Sequence, residues 1–124
     1  MSAEKPEIDF PEGPPPSDLE VTELTEGDGQ EASAGSTVSV HYVGVAHSTG
    51  EEFDASWNRG APLDFRLGVG QVISGWDQGV QGMKVGGRRR LVIPPHLAYN
   101  NRGAGGVIGP GETLIFVVDL VGVR

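Results

Sequence analysis

The sequence predicts an α+β domain: five or six antiparallel strands curled around one short helix. Three observations lead there. Apolar and polar residues alternate through several short runs, the mark of half-buried strands. One stretch, Leu67–Arg90, breaks that period. In it Val72, Ile73, Trp76, Val80 and Met83 recur at three- and four-residue steps, which is one face of a helix. The connections are short and rich in Gly and Pro, and they leave no space for the crossover helices of a parallel sheet. The helix spans two to three turns, a length that is marginal alone in water. It must therefore lie against the sheet, with Trp76 as its bulkiest contact.

The chain has 124 residues, enough for one domain. Residues 1–31 hold ten acids and one base, whereas residues 32–124 hold seven acids and eight bases. The acidity thus belongs to the N-terminal segment, and the near-neutral remainder argues against a general nucleic-acid binder. The absence of cysteine removes disulfides, thiolate zinc sites and cysteine nucleophiles. No apolar run reaches the length of a signal peptide or a membrane span, so the expectation is a soluble, cytoplasmic protein without a membrane partner. No coiled-coil pattern or interface stripe is present, so a monomer is expected.

Residues 1–18 read as a disordered, acidic, proline-rich leader, with Pro6, Pro11, Pro14, Pro15 and Pro16 opposing a helix. The globular domain is expected over residues 19–124. Leu19–Leu24 alternates as a first strand, and Glu26–Gly29 turns the chain. Thr37–Val45 is the clearest strand, with Val38, Val40 and Tyr42 on one face and Ser39, His41 and Val43 on the other; His41 reads as a surface histidine. Ser48–Gly50 forms a hairpin turn before Glu51–Ser56, which carries Phe53 and Asp54. Trp57–Pro62 is a loop, and Leu63–Leu67 alternates again. Ser74 and Asp77 give a capping-box signal for the start of the helix, and Gly82, Gly86 and Gly87 end it. Arg88–Ile93 is a strand stopped by Pro94 and Pro95. His96–Tyr99 reads as one helical turn and residues 100–112 as a long glycine-rich loop. Thr113–Val123 is the last strand, with Leu114, Phe116, Val118 and Leu120 on one face.

Motifs for covalent or metal chemistry are missing. There is no GxSxG, and His41, His47 and His96 match no ligand spacing. The glycines at 68–70 and 103–106 lack the lysine of a phosphate loop. Arg88–Arg90 reads as a solvated strand end, with no aromatics interleaved for stacking on bases. What remains is an apolar-aromatic set, Tyr42, Phe53, Trp76, Tyr99 and Phe116 with Val72, Ile73 and Ile108. Its tyrosines and tryptophan carry polar handles suited to a pocket as well as to a core.

Five blocks carry a resemblance: VHYVG at 40–44, GEEFDAS at 50–56, FRLGVGQVISGWDQGVQGMKVGGRR at 65–89, IPPHLAYNNRG at 93–103 and IGPGETLIFVVDLVGV at 108–123. Together they resemble the FKBP-type peptidyl-prolyl cis-trans isomerases in their short, single-domain bacterial form, over residues 19–124. The resemblance implies an antiparallel sheet around one short helix and an apolar cleft between them. By match to the family motif, Trp76 forms the floor, Tyr42, Phe53, Val72, Ile73 and Phe116 line it, Tyr99 and Ile108 sit on its edges, and Asp54 stands at its mouth with Tyr42 and Arg59 as hydrogen-bond partners. The implied catalytic set is Asp54, Tyr99, Tyr42 and Trp76, and the implied substrate-binding set is Phe53, Leu63, Val72, Ile73, Ile108 and Phe116.

The implied partners are proline-containing polypeptides and macrolide inhibitors of the rapamycin or tacrolimus type, with no cofactor and no metal. Three positions depart from the family pattern: Leu63 where an aromatic is common, Gln71 where a glutamate occurs, and Ala104-Gly105 where bulkier residues occur. They bear on substrate preference and inhibitor affinity. A tip-loop insertion found in chaperone-type members is also missing. The rival reading is a prolyl-peptide-binding or chaperone module with low turnover, built on the same cleft.

Overall fold

The computed structural model describes residues 5, 6, 8, 13–98, 108 and 111–124. Six strands form one antiparallel sheet: β1 (Glu20–Thr25), β2 (Thr37–Ala46), β3 (Glu52–Ala55), β4 (Leu63–Arg66), β5 (Arg88–Ile93) and β6 (Leu114–Val123). They run in the order β1-β5-β6-β2-β3, and β4 also pairs with β2. Short 3₁₀ turns follow at Ser56–Arg59 and Pro95–Leu97, and the one α-helix, α1, spans Ser74–Gly79. The expected α+β architecture is the one observed.

The long strands β2 and β6 form the spine, paired from Val38↔Val123 to Ala46↔Leu114. The other edge of β2 is shared. Its first half pairs with β4 (Thr37↔Arg66 to Val40↔Leu63) and its second half with β3 (Val43↔Ala55 to Val45↔Glu52). Residues 56–62 lie between those two half-strands, and Ser56 repairs the ladder where it is interrupted. The Tyr42 N–H donates to Ser56 Oγ at 2.7 Å. Ser56 is fully buried, where an unpaired backbone N–H would be costly.

One face of the sheet holds the principal core. Val38, Val40, Tyr42, Phe65, Leu67, Leu91, Ile93, Leu114, Phe116, Val118 and Leu120 pack there with Trp76, Val80 and Met83. The expected inward set of β6 is confirmed. The helix is shorter than its apolar period suggests: Val72 and Ile73 precede α1 and Met83 follows it. Its glycines explain how it lies so close to the sheet. A Cβ on Gly75 would stand 2.5 Å from Ile93 Cγ2, and one on Gly79 would stand 2.8 Å from Leu91 Cδ2.

The capping box does not form. The N-cap is Ile73, without a side-chain cap. Asp77 reaches backward instead, and its carboxylate accepts from the Gly68 and Gly70 N–H groups at 2.8 and 2.9 Å. Both glycines have φ of 81°, a left-handed turn that L side chains resist. The arginine run is not a solvated strand end either. Arg88 pairs with Asp119 through two bonds of 2.8 and 2.9 Å. Arg89 donates to the Gly79 and Gln81 carbonyls at 2.9 and 2.8 Å, closing the C-terminal end of α1, and also pairs with Glu23.

β1 forms at the sheet edge, with all six residues exposed and a bulge between Glu23 and Thr25. Its alternation therefore does not mark a core face: Val21 is 46% and Leu24 48% exposed. Of the leader, Lys5, Pro6, Ile8 and residues 13–18 are described, and Ile8 lies against the outer face of the sheet. Most of the glycine-rich loop at 100–112 lies outside the described residues, as does Tyr99.

Candidate active site

Between α1 and the inner face of the sheet opens a cleft of about 430 Å³. It is lined by Tyr42, Phe53, Asp54, Leu63, Gln71, Val72, Ile73, Trp76, Ala98 and Phe116. Its base is an aromatic cluster. Trp76 meets Tyr42 edge-on at 4.9 Å between ring centroids and Phe116 at 5.2 Å, and Phe53 meets Phe116 at 5.5 Å. These are the separations at which edge-to-face pairs are favourable. Phe65 backs Trp76 from the core at 5.6 Å.

Two local devices shape this cluster. In a regular strand Phe53 and Asp54 would point to opposite faces. The β2–β3 register shifts between Gly44 and Val45, whose partners are Asp54 and Glu52. Phe53 is thus the extra residue of a β-bulge, and both Phe53 and Asp54 reach the cleft. Gly44 provides the space: a Cβ there would lie 2.7 Å from both Phe53 Cζ and Phe116 Cε1.

A polar network stands on the β3 side. Tyr42 Oη donates to Asp54 Oδ2 at 2.6 Å, Arg59 Nη1 donates to Asp54 Oδ1 at 2.9 Å, and Arg59 Nη2 donates to Tyr42 Oη at 2.9 Å. The triangle fixes the phenol, and it sets its acidity. Burial, then the Asp54 hydrogen bond, raise the Tyr42 pKa above the ordinary phenol value, while Arg59 pulls the other way. The Arg59 guanidinium, tied to Tyr42 and Asp54, is held charged still more firmly than usual.

The structure brings together most of the residues singled out from the sequence: Tyr42, Phe53, Asp54, Leu63, Val72, Ile73, Trp76 and Phe116 all line one cleft. Ile108 is buried in the adjoining core, 7% exposed. Ala98 is a lining residue that the sequence reading missed, since a lone alanine after a turn carries no signal. Gln71, noted only as a departure from the family pattern, also lines the cleft and accepts the Arg66 N–H at 2.8 Å. Among the described residues no group of three or more His, Cys, Asp or Glu could hold a metal.

Residues 28–121 match the model of the FKBP-type peptidyl-prolyl cis-trans isomerases. The chain belongs to that family. Its sequence is 76% identical to an FK506-binding protein of Streptomyces anulatus over 124 residues, 99% of this chain and all of the relative. It is 51% identical to a probable FK506-binding protein of Corynebacterium glutamicum over 118 residues, 95% of this chain and 98% of the relative. The Streptomyces match runs through the leader as well as the domain. Among solved structures, AtFKBP13 superposes with a TM-score of 0.80 at 44% identity, covering 89% of this chain and 96% of that one. FkpA from Escherichia coli does so with 0.77 at 42%, covering 86% of this chain and 48% of that one. The protein is thus an FKBP-type isomerase, and its chemistry is cis-trans rotation of X–Pro bonds.

Proposed function

We propose that the FKBP-type cleft floored by Trp76 is where this isomerase holds a prolyl ring while the preceding amide turns. The observation behind this reading is the combination in one concavity of an aromatic base with the Tyr42–Asp54–Arg59 triangle beside it. Rotation about an amide meets a barrier of ~18–20 kcal/mol, because it breaks C–N resonance. The X–Pro bond is nearly balanced between its two forms yet exchanges over tens to hundreds of seconds. A catalyst has only to bind the twisted amide better than either planar form.

The apolar walls favour the twisted amide, since the planar, resonance-stabilised form is more polar and loses more on leaving water. Trp76 and Phe116 hold the ring, with Phe53, Leu63, Val72 and Ile73 as walls and Ile108 behind them. The Ile73 backbone N–H and the Tyr99 hydroxyl are the donors for the substrate carbonyl. Asp54, fixed by Tyr42 and Arg59, presents a carboxylate where the amide dipole changes on rotation. No covalent intermediate enters this scheme.

The substrates are proline-containing polypeptides, in keeping with a role in protein folding, and macrolides of the rapamycin or tacrolimus type compete for the cleft. The names of the FK506-binding relatives support the macrolide reading. The protein acts as a cytoplasmic monomer without nucleic acid or membrane. In support, no helix among the described residues is long and apolar enough to cross a membrane, and Arg88 and Arg89 are engaged within the fold. A low-turnover binding or chaperone module is the second reading, favoured by Leu63, which makes one wall less aromatic.

The test is cis-to-trans exchange of a Leu-Pro-Phe peptide with and without rapamycin. Acceleration abolished by the macrolide is the expected result. Tight macrolide binding without acceleration would establish the binding module instead, and failure of both acceleration and binding would overturn the cleft assignment.

A further inference from the structure

A sheet with a helix packed on one face ordinarily turns polar side chains to water on the other. This one does not. On the outer face Val43, Val45, Ala55, Val92, Ile115 and Val117 are each 5% exposed or less. They form two apolar clusters, and among the described residues Ile8 of the leader packs against both. Three residues earlier, Lys5 Nζ meets Glu52 Oε1 at 2.9 Å and Asn58 Oδ1 at 3.0 Å. Asn58 Nδ2 closes the triangle by donating to Glu52 Oε2 at 3.0 Å.

Glu52 begins β3 and Asn58 lies in the 3₁₀ turn after it. Between and beside them are Phe53, Asp54 and Arg59, the cleft residues that face the other way. β3 has only four residues, lies at the sheet edge and is bulged at Phe53, so its own ladder holds it weakly. We propose that Lys5 and Ile8 strap the N-terminal segment to the outer face of the sheet, and that Lys5 is a positioning residue. By tying Glu52 to Asn58 it holds the β3 segment so that Asp54 and Arg59 meet Tyr42 in the cleft. The side chains of Lys5 and Glu52 are 38% and 34% exposed, a site where a cation and a carboxylate attract without a large desolvation cost. Hydrogen bonding from Lys5 also holds the Glu52 carboxyl below its ordinary pKa. The leader's role is thereby internal to the enzyme, in contrast to the free tail its composition suggests.

This inference rests on the cleft reading of Asp54, and the experiment separates the two. In the full-length protein, Lys5→Ala, Lys5→Arg and Ile8→Asp are compared by kcat, KM and amide NMR, with Asp54→Ala in the same assay as the measure of the cleft itself. An exposed ion pair shifts an equilibrium by at most about fivefold. Lys5→Ala and Ile8→Asp should accordingly lower kcat by about two- to fivefold with KM within about twofold. The Asp54 and Arg59 resonances should move, and Lys5→Arg should restore most of the rate. A lowered thermal midpoint with unchanged kcat and unmoved Asp54 and Arg59 signals would overturn the positioning role. Random-coil behaviour of the Lys5 and Ile8 amides would overturn the strap itself. If Asp54→Ala alone is silent, the fault lies in the cleft reading.

Discussion

Tyr42 and Asp54 belong to neighbouring strands, and the phenol of one donates to the carboxylate of the other at 2.6 Å on the wall of the cleft. Asp54 stands opposite Gly44 in regular register and so shares the face of Tyr42, two residues along β2; the bulge brings Phe53 onto that same face. Removing the carboxylate leaves the phenol and Arg59 Nη1 without their acceptor, while Arg59 Nη2 keeps its bond to Tyr42. Asp54→Ala should therefore lower kcat/KM about tenfold, equivalent to ~1.4 kcal/mol, within the range of one charge-assisted hydrogen bond. Tyr42→Phe should cost less, and the double variant less than the sum, because the two groups share one network. A thermodynamic cycle on peptide isomerisation reads this directly.

The raised pKa of Tyr42 sets an alkaline limit. A group whose folded pKa exceeds its unfolded value contributes stability that is present below the unfolded pKa, near the ordinary 10.0, and lost as pH rises through the folded value. Activity should stay level up to about pH 10 and fall above it, as tyrosinate forms beside Asp54. Tyrosinate absorbance would follow the ionisation, and loss of one of the two tyrosine contributions in Tyr42→Phe would assign it.

Ser56 offers a test of the interrupted edge. Its hydroxyl accepts the Tyr42 N–H at 2.7 Å and stands 2.9 Å from His41 Nδ1. Ser56→Ala should cost about 1–3 kcal/mol in denaturant unfolding by orphaning a buried backbone donor. Ser74→Ala is the contrast: the capping-box pattern assigns Ser74 a stabilising cap, but no cap bond forms, so its effect should stay within about 0.5 kcal/mol.

Gly75→Ala sets helix propensity against packing. Propensity alone favours alanine by about 1 kcal/mol. The new Cβ would instead fall 2.5 Å from Ile93 Cγ2, on a stiff β-branched side chain. A net loss of about 1–3 kcal/mol is expected from overpacking, measured by thermal or denaturant midpoint.

Gly44→Ala should act on function as well as on stability. Its Cβ would collide with both Phe53 and Phe116, so the aromatic base must open. Loss of peptide turnover, with a penalty of about 1–3 kcal/mol, is the expected outcome. Full activity would show that the rings have room to yield.

The sequence determined the sheet, the place of the helix and most of the cleft. Strand alternation and the three- and four-residue recurrence record which side chains must leave water, and that requirement acts residue by residue along the chain. The family blocks at 40–44, 50–56, 65–89 and 108–123 gave roles to the aromatic members Tyr42, Phe53, Trp76 and Phe116. What only the tertiary structure decided concerns contacts between distant segments. Asp77 holds Gly68 and Gly70 rather than capping its own helix. Arg89 closes the end of α1 rather than facing solvent. Gly44, Gly75 and Gly79 carry no signal of their own in the sequence, yet they are the points where other side chains come too close for a Cβ. The bulge at Phe53 left no mark in the hydrophobic pattern, because a register shift depends on the partner strand. Nor could the continuous apolar run of β6 name Ile8 and Trp57 as side chains packed on its outer face. A run buried on both sides reports that it is covered, and the identity of the cover is a property of the folded whole.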